Sequence, residues 1–123
     1  GNEAKAKTAY AEVLKIAKGE LAAEALYYDA YFKNKAGSFQ ASNESVQKLA
    51  KDYSGFKYYG AKGLVLMAKN FYALKDAYQA TYILENVITN FKEYPDVVSE
   101  AQTELNRIKT MEARTNASVE PNN

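Results

Sequence analysis

Apolar and polar positions between Ala61 and Phe91 alternate with the period of a helix, twice over. Apolar residues fall at Leu64, Met67, Ala68 and Phe71, and again at Ala80, Ile83, Leu84, Val87, Ile88 and Phe91. Both sets keep the i, i+3, i+4, i+7 spacing of a helix that buries one face. Asp76 stands between them, with Gln79 three residues later. That is the pattern of a capping box, in which the Asp76 carboxylate accepts from an orphan amide of the new helix and Gln79 reaches back. The stretch predicts a helical hairpin with a tight turn, and the rest of the chain is organised around it.

The flanking chain reads the same way. Ala6, Ala9, Val13, Ile16 and Ala17 form a narrow stripe on a first helix over residues 3–18. Lys15 and Lys18 suit the negative end of its dipole, and Gly19 is placed to end it. A second helix over residues 20–36, ended by Gly37, carries Leu21, Ala22, Ala25, Leu26, Tyr28, Ala30 and Phe32 around most of its circumference. Such a helix is expected to be covered on more than one side. Ser38 is placed to cap a third helix over residues 39–53, with Val46, Leu49, Ala50 and Tyr53 facing in. The hairpin helices follow over residues 56–75 and 77–91. Pro95 fits the first position of a sixth helix, where its missing amide costs nothing. That helix runs to about Met111 with Val98, Ala101, Leu105 and Ile108 on one face only, as in a solvated cap. Residues 112–123 have no apolar period and predict a disordered tail.

Composition narrows the function classes. The chain has 123 residues, one domain by size, with 16 basic against 15 acidic side chains. A net charge of +1 gives no electrostatic reason to expect a nucleic-acid partner. There is no cysteine and no histidine, which removes thiol chemistry and the commonest general base and neutral metal ligand. Asp76 and Asp96 sit at helix starts, where capping explains them, and Glu100 and Glu104 read as an i, i+4 pair on a solvated face. No catalytic residue, metal or cofactor is therefore expected. No apolar run approaches the roughly 20 residues that span a bilayer. The chain opens inside a helical pattern, which reads as the C-terminal part of a longer protein.

The hairpin repeats. With a shift of 38, Leu26 meets Leu64, Ala30 meets Ala68, Gly37 meets Lys75, Ser38 meets Asp76, Val46 meets Leu84 and Leu49 meets Val87. With a shift of 33, Val13, Ile16, Ala17 and Lys18 of the first helix meet Val46, Leu49, Ala50 and Lys51 of the third. Periods of this size with two helices per unit indicate an α-solenoid. Leu64, Ala68, Phe71 and Ala80 resemble the large, small, aromatic and small positions of the tetratricopeptide repeat family, and Leu26, Ala30, Gly37 and Phe39 occupy the same places one unit earlier. Asp29 and Lys33 depart from the pattern where Met67 and Phe71 stand, and Ser42 where Ala80 stands. The Tyr94-Pro95 pair after a long second helix is similar to repeat proteins of the bacterial envelope, among them outer-membrane assembly lipoproteins and cell-division coordinators. The resemblance implies an all-α, right-handed solenoid of about six helices in antiparallel hairpins, spanning residues 1–111. It implies a non-catalytic scaffold that binds a protein or peptide, in the periplasm or at the outer membrane.

In that family the first helix of each hairpin lines the concave side. The register then assigns Glu24, Tyr27, Tyr31, Asn34 and Lys35, with Lys62, Val65, Lys69 and Tyr72, to a groove. Eleven tyrosines and no tryptophan suit this reading, since tyrosine offers contact area at low rotamer cost and a hydroxyl for orientation. Lys35, Lys62 and Lys69 would favour acidic partners. The alternatives are that these tyrosines pack between repeats, and that the chain is a structural spacer or self-association module. Tyr53, Phe56, Tyr58 and Tyr59 form a second cluster at a turn, read as a core plug, and Tyr78 and Tyr82 lie on an outer face.

Overall fold

In a computed structural model, which describes residues 2–119, the chain forms five α-helices and no strand among those residues. They are α1 (Asn2–Lys35), α2 (Phe39–Asp52), α3 (Lys57–Ala73), α4 (Ala77–Asn90) and α5 (Pro95–Val119). The all-helical expectation holds, and nine of the twelve expected helix ends fall within two residues of the observed ones. Two elements differ. The first and second predicted helices are one continuous helix, and α5 extends past Met111 to Val119. Residues 120–123 of the expected tail lie outside the described part.

Gly19 fails to end a helix because it sits among strong helix formers, and a mid-helix glycine costs only about 1 kcal/mol relative to alanine. It instead admits a neighbour: a Cβ at Gly19 would lie 2.7 Å from Cζ of Phe56, so the aromatic ring rests on the bare backbone. From there toward the N-terminus α1 leaves the body, and every described side chain between Glu3 and Lys18 is exposed.

The two turns after α1 and α3 repeat bond for bond at a spacing of 38 residues. Gly37 N–H donates to Asn34 C=O and Ser38 N–H to Lys33 C=O, as Lys75 N–H does to Tyr72 C=O and Asp76 N–H to Phe71 C=O. Both turns place their third residue in the left-handed region, Gly37 at φ 80° and Lys75 at φ 71°, the form that satisfies the last carbonyls of a helix. The Asp76 carboxylate accepts from Gln79 N–H at 3.0 Å as expected. The reciprocal half of the capping box is absent, because the Asp76 amide is already committed to Phe71. Ser38 occupies the N-cap position without a side-chain cap bond.

Each helix packs against the next, and α3 also touches α1 and α5. α3 is therefore central and buries Ala61, Gly63, Val65, Leu66, Met67, Ala68 and Asn70, nearly its whole circumference rather than one face. The core divides in two along it. Val65 and Ala68 join Leu84, Val87, Val97, Ala101, Leu105 and Ile108 of α4 and α5. Leu66 and Met67 join Ala23, Tyr27 and Ala30 of α1 with Val46 and Leu49 of α2.

Candidate functional site: the face shared by α1, α3 and α5

Among the described residues the backbones of α1 and α5 do not come close to each other, and neither do those of α2 and α4. α1 and α5 flank α3 and leave a trough between them. The nine residues assigned to a groove from sequence do not share one fate here. Tyr27 is buried, with its ring 6.3 Å from that of Tyr59 and 6.5 Å from that of Tyr31. Val65 has no exposed surface and belongs to the core with α5, so it lines nothing. The register missed this because it could not see α5 close over that side of α3. Tyr31, Lys62, Lys69 and Tyr72 are half-buried in the trough, and Lys35 is exposed at its end.

The cations there are held. Lys62 Nζ lies 4.9 Å from the Tyr27 ring centre and 5.6 Å from that of Tyr58, a cation–π placement between two rings. Lys35 Nζ sits 5.3 Å from the Tyr31 ring. Lys69 pairs with Glu100 of α5 at 3.1 Å. Tyr72 donates its hydroxyl to Glu112 at 3.2 Å, and the Arg107 guanidinium stands 5.7 Å from its ring. α5 therefore contributes Glu100, Arg107 and Glu112, of which the first two were expected on a solvated face and Glu112 in a disordered tail. Glu104 is itself buried and paired with Arg107, and Glu100 faces Lys69, so these two are not a free i, i+4 pair.

At the other end of the trough, the turn aromatics bind across helices. Tyr59 donates to Glu24 at 2.5 Å and Tyr58 to Asp96 at 2.6 Å. The Glu24 bond pushes the Tyr59 hydroxyl up to about 12, and burial does the same to Tyr27. The Tyr58 hydrogen bond holds the Asp96 carboxyl below its ordinary value, and Lys33 does so for Asp29. These carboxyls are stabilised as anions, the opposite of what a general acid needs.

Sequence reasoning missed the most connected polar group. Asn70 is fully buried; it accepts from Asn34 Nδ2 at 2.8 Å and donates to Ser42 Oγ at 2.8 Å and Asn43 Oδ1 at 2.9 Å. Ser42 Oγ in turn donates to the Ala30 carbonyl at 2.7 Å. Asn34, assigned to the groove, is thereby spent on holding α1 to α3. The three departures from the repeat pattern are also explained. Asp29, Lys33 and Ser45 bond to one another at 2.7–2.9 Å, and Ser42 serves the Asn70 network. The signal was there in the form of three polar residues at positions that are apolar one repeat later.

Behind the trough, α2 and α4 leave a cleft of about 420 Å³ lined by Val46, Ala50, Tyr53, Phe56, Leu64 and Phe91. Tyr53 and Phe56 of the turn cluster form part of its wall. Tyr78 and Tyr82 stack on the outer side of α4, ring centres 6.4 Å apart, both exposed. No group of metal-binding side chains occurs among the described residues, and no helix is long and apolar enough to cross a membrane. No protein-family model, curated protein or solved structure matches the chain.

Proposed function

We propose that this chain is a protein-interaction scaffold of the tetratricopeptide kind, a right-handed solenoid of helical hairpins that binds a peptide segment or partner domain in the trough between α1 and α5. The observation that carries the reading is the trough itself. It is lined by aromatic rings and charged groups that are oriented by one another across three helices, so their positions are set before any partner arrives. The hairpins that repeat at 38 residues support the solenoid, and the two-sided burial of α3 supports a stack that grows by adding hairpins. The expected preference for acidic partners narrows. Lys69 is already neutralised by Glu100, so selectivity for an acidic group rests on Lys62 at the Tyr58 end and on Lys35 at the opposite end, where Glu112 and Arg107 of α5 also stand and suit a mixed polar segment.

The test is affinity capture from a lysate of the source organism, comparing the wild type with a Tyr31→Ala/Tyr72→Ala variant of unchanged circular dichroism. Tyr27 is left intact because it is core. A protein kept by the wild type and lost by the variant supports the trough. Equal retention by both moves the site elsewhere, with the α2–α4 cleft and the Tyr78–Tyr82 pair next in line.

A further inference from the structure

The outer face of α1 exposes several large apolar side chains. Leu21 and Phe32 are each 64% exposed, and Tyr28 and Ala25 lie between them on the same side. At the 38-residue spacing their counterparts on α3 are Tyr59, Asn70, Leu66 and Gly63. Leu66, Asn70 and Gly63 are buried, and α2 is what covers them: Val46 and Leu49 stand 3.2 and 3.3 Å from the position of a Cβ on Gly63, and Ser42 bonds to Asn70. Helix α1 therefore carries the face that α3 gives to α2, in more apolar form, with nothing upon it.

The matching cover is present in the same chain. At the 33-residue spacing the counterparts of Ser42, Val46 and Leu49 are Ala9, Val13 and Ile16, which with Ala6 form a stripe on the projecting half of α1. Val13 and Ile16 are 61% and 59% exposed. Thus one helix bears two unpartnered stripes, joined at Gly19, and Val13 and Ala25 lie at equal distances in sequence on either side of that glycine. We propose that residues 4–18 fold back at Gly19 as a helix antiparallel to residues 20–35, and cover the outer face of α1 as α2 covers α3. The occupant of this face is the chain's own N-terminal segment.

The physical case rests on what the straight form leaves undone. A helical stretch of about 15 residues is marginal in water without tertiary contacts, and every described side chain of residues 3–18 is exposed. Folding back buries both stripes and costs the hydrogen bonds of one turn at a glycine, where the helix is weakest. A turn at residues 17–19 falls in the range that joins antiparallel helices. In the folded-back form Ala9 approaches Phe32, and Val13 and Ile16 approach Ala25. Ala17, Lys18 and Gly19 form the turn, in place of the longer link that joins α2 to α3.

The chain has no cysteine, so a Val13→Cys/Ala25→Cys pair reports the proposal directly. Both sites are on the surface, and the reduced variant is expected to keep the wild-type circular dichroism. In a straight helix the two positions are about 18 Å apart along the axis, far beyond the roughly 7 Å Cα separation that a disulfide tolerates. The experiment brings the variant to equilibrium in a glutathione redox buffer at high dilution and reads the product by mass spectrometry after quenching. The expected result is loss of both thiols in a species with the mass of a monomer. A disulfide found only in dimers would overturn the proposal and assign the face to a second copy. Two free thiols at equilibrium would also overturn it and leave α1 straight.

Discussion

The two junctions on either side of α3 do the same job with different chemistry. Toward α4 and α5 the contact is apolar, with Leu84, Val87, Val97, Leu105 and Ile108 fully or almost fully buried. Toward α1 and α2 the contact is thinner in large apolar groups and carries Asn70, Ser42 and Asn43 at its centre, every one of them bonded. An apolar junction is strong but permissive, since similar volumes repack at low cost. A hydrogen-bonded junction admits one register, because a slipped arrangement strands buried polar groups at about 1–3 kcal/mol each. The lesson is that α1 is positioned by specificity and α5 by burial. The trough between them inherits one wall of each kind.

The comparison predicts a different response to substitution on each side. Leu84→Ala, at a site with no exposed surface, removes part of the apolar junction and leaves a cavity. It is expected to cost about 2–5 kcal/mol in urea unfolding. Asn70→Ala is expected to cost about 2–3 kcal/mol, because Asn34, Asn43 and Ser42 lose a partner together. The sharper distinction lies in coupling. Ser42→Ala alone should cost about 1 kcal/mol, and much less once Asn70 is already alanine, whereas Ser42→Ala and Leu84→Ala should add. A double-mutant cycle with no Ser42–Asn70 coupling would remove the distinction between the junctions.

These differences also explain which parts of the molecule could be read in advance. The α3–α4 hairpin was legible because its turn is local: Asp76, its neighbours and two apolar stripes specify it without reference to anything distant. The burial of α1 and α3 was not, and the two came out reversed. Residues 20–36 carry apolar groups all round, yet α1 buries only one side, while α3, read as one-faced, is covered almost everywhere. Periodicity reports what a helix is able to bury, and neighbours decide what it does bury. Gly19 shows the same limit, since its propensity to break a helix is weak and the outcome depends on whether a partner waits for the segment beyond it. At the site, Tyr31, Lys62, Lys69 and Tyr72 are all half-buried, in keeping with their spacing along α1 and α3. Val65 was misplaced, and Glu100, Arg107 and Glu112 were overlooked, because they depend on how α5 lies across α3.

Alkaline pH should act first on the junction with α1. Tyr27 and Tyr59 both bridge α1 and α3, and both hydroxyls are raised from 10.0 to about 12. A raised folded value means that the neutral phenol is favoured in the native state. The stability it contributes is complete below pH 10 and is lost as pH rises from 10 toward 12. The measurement is tyrosinate absorbance followed beside helical circular dichroism. The ionisation of Tyr27 and Tyr59 should come late and coincide with loss of structure. Tyr59→Phe should move that loss toward higher pH, since it removes one of the two groups. The corresponding acid-side effect comes from Asp29 and Asp96, whose lowered values make a contribution that is present above the ordinary carboxyl range and fades as pH falls through their folded values.

The smallest effect compares the two turns. They share every backbone bond, but one has glycine and the other lysine in the left-handed region, at φ 80° and 71°. A side chain there meets its own backbone, a cost of roughly 1 kcal/mol that glycine does not incur. Lys75→Gly should therefore stabilise the protein by about 0.5–1 kcal/mol, the loss of chain entropy in the unfolded state taking back part of the gain. Gly37→Ala should destabilise by a similar amount, and purely through the backbone, since no atom lies within 4 Å of the added Cβ. Chemical denaturation of the two variants with the same slope and opposite shifts in midpoint is the expected outcome. If Lys75→Gly were instead destabilising, the lysine side chain would have to contribute to the turn, and the two hairpins would not be equivalent at the one place where their hydrogen bonds agree throughout.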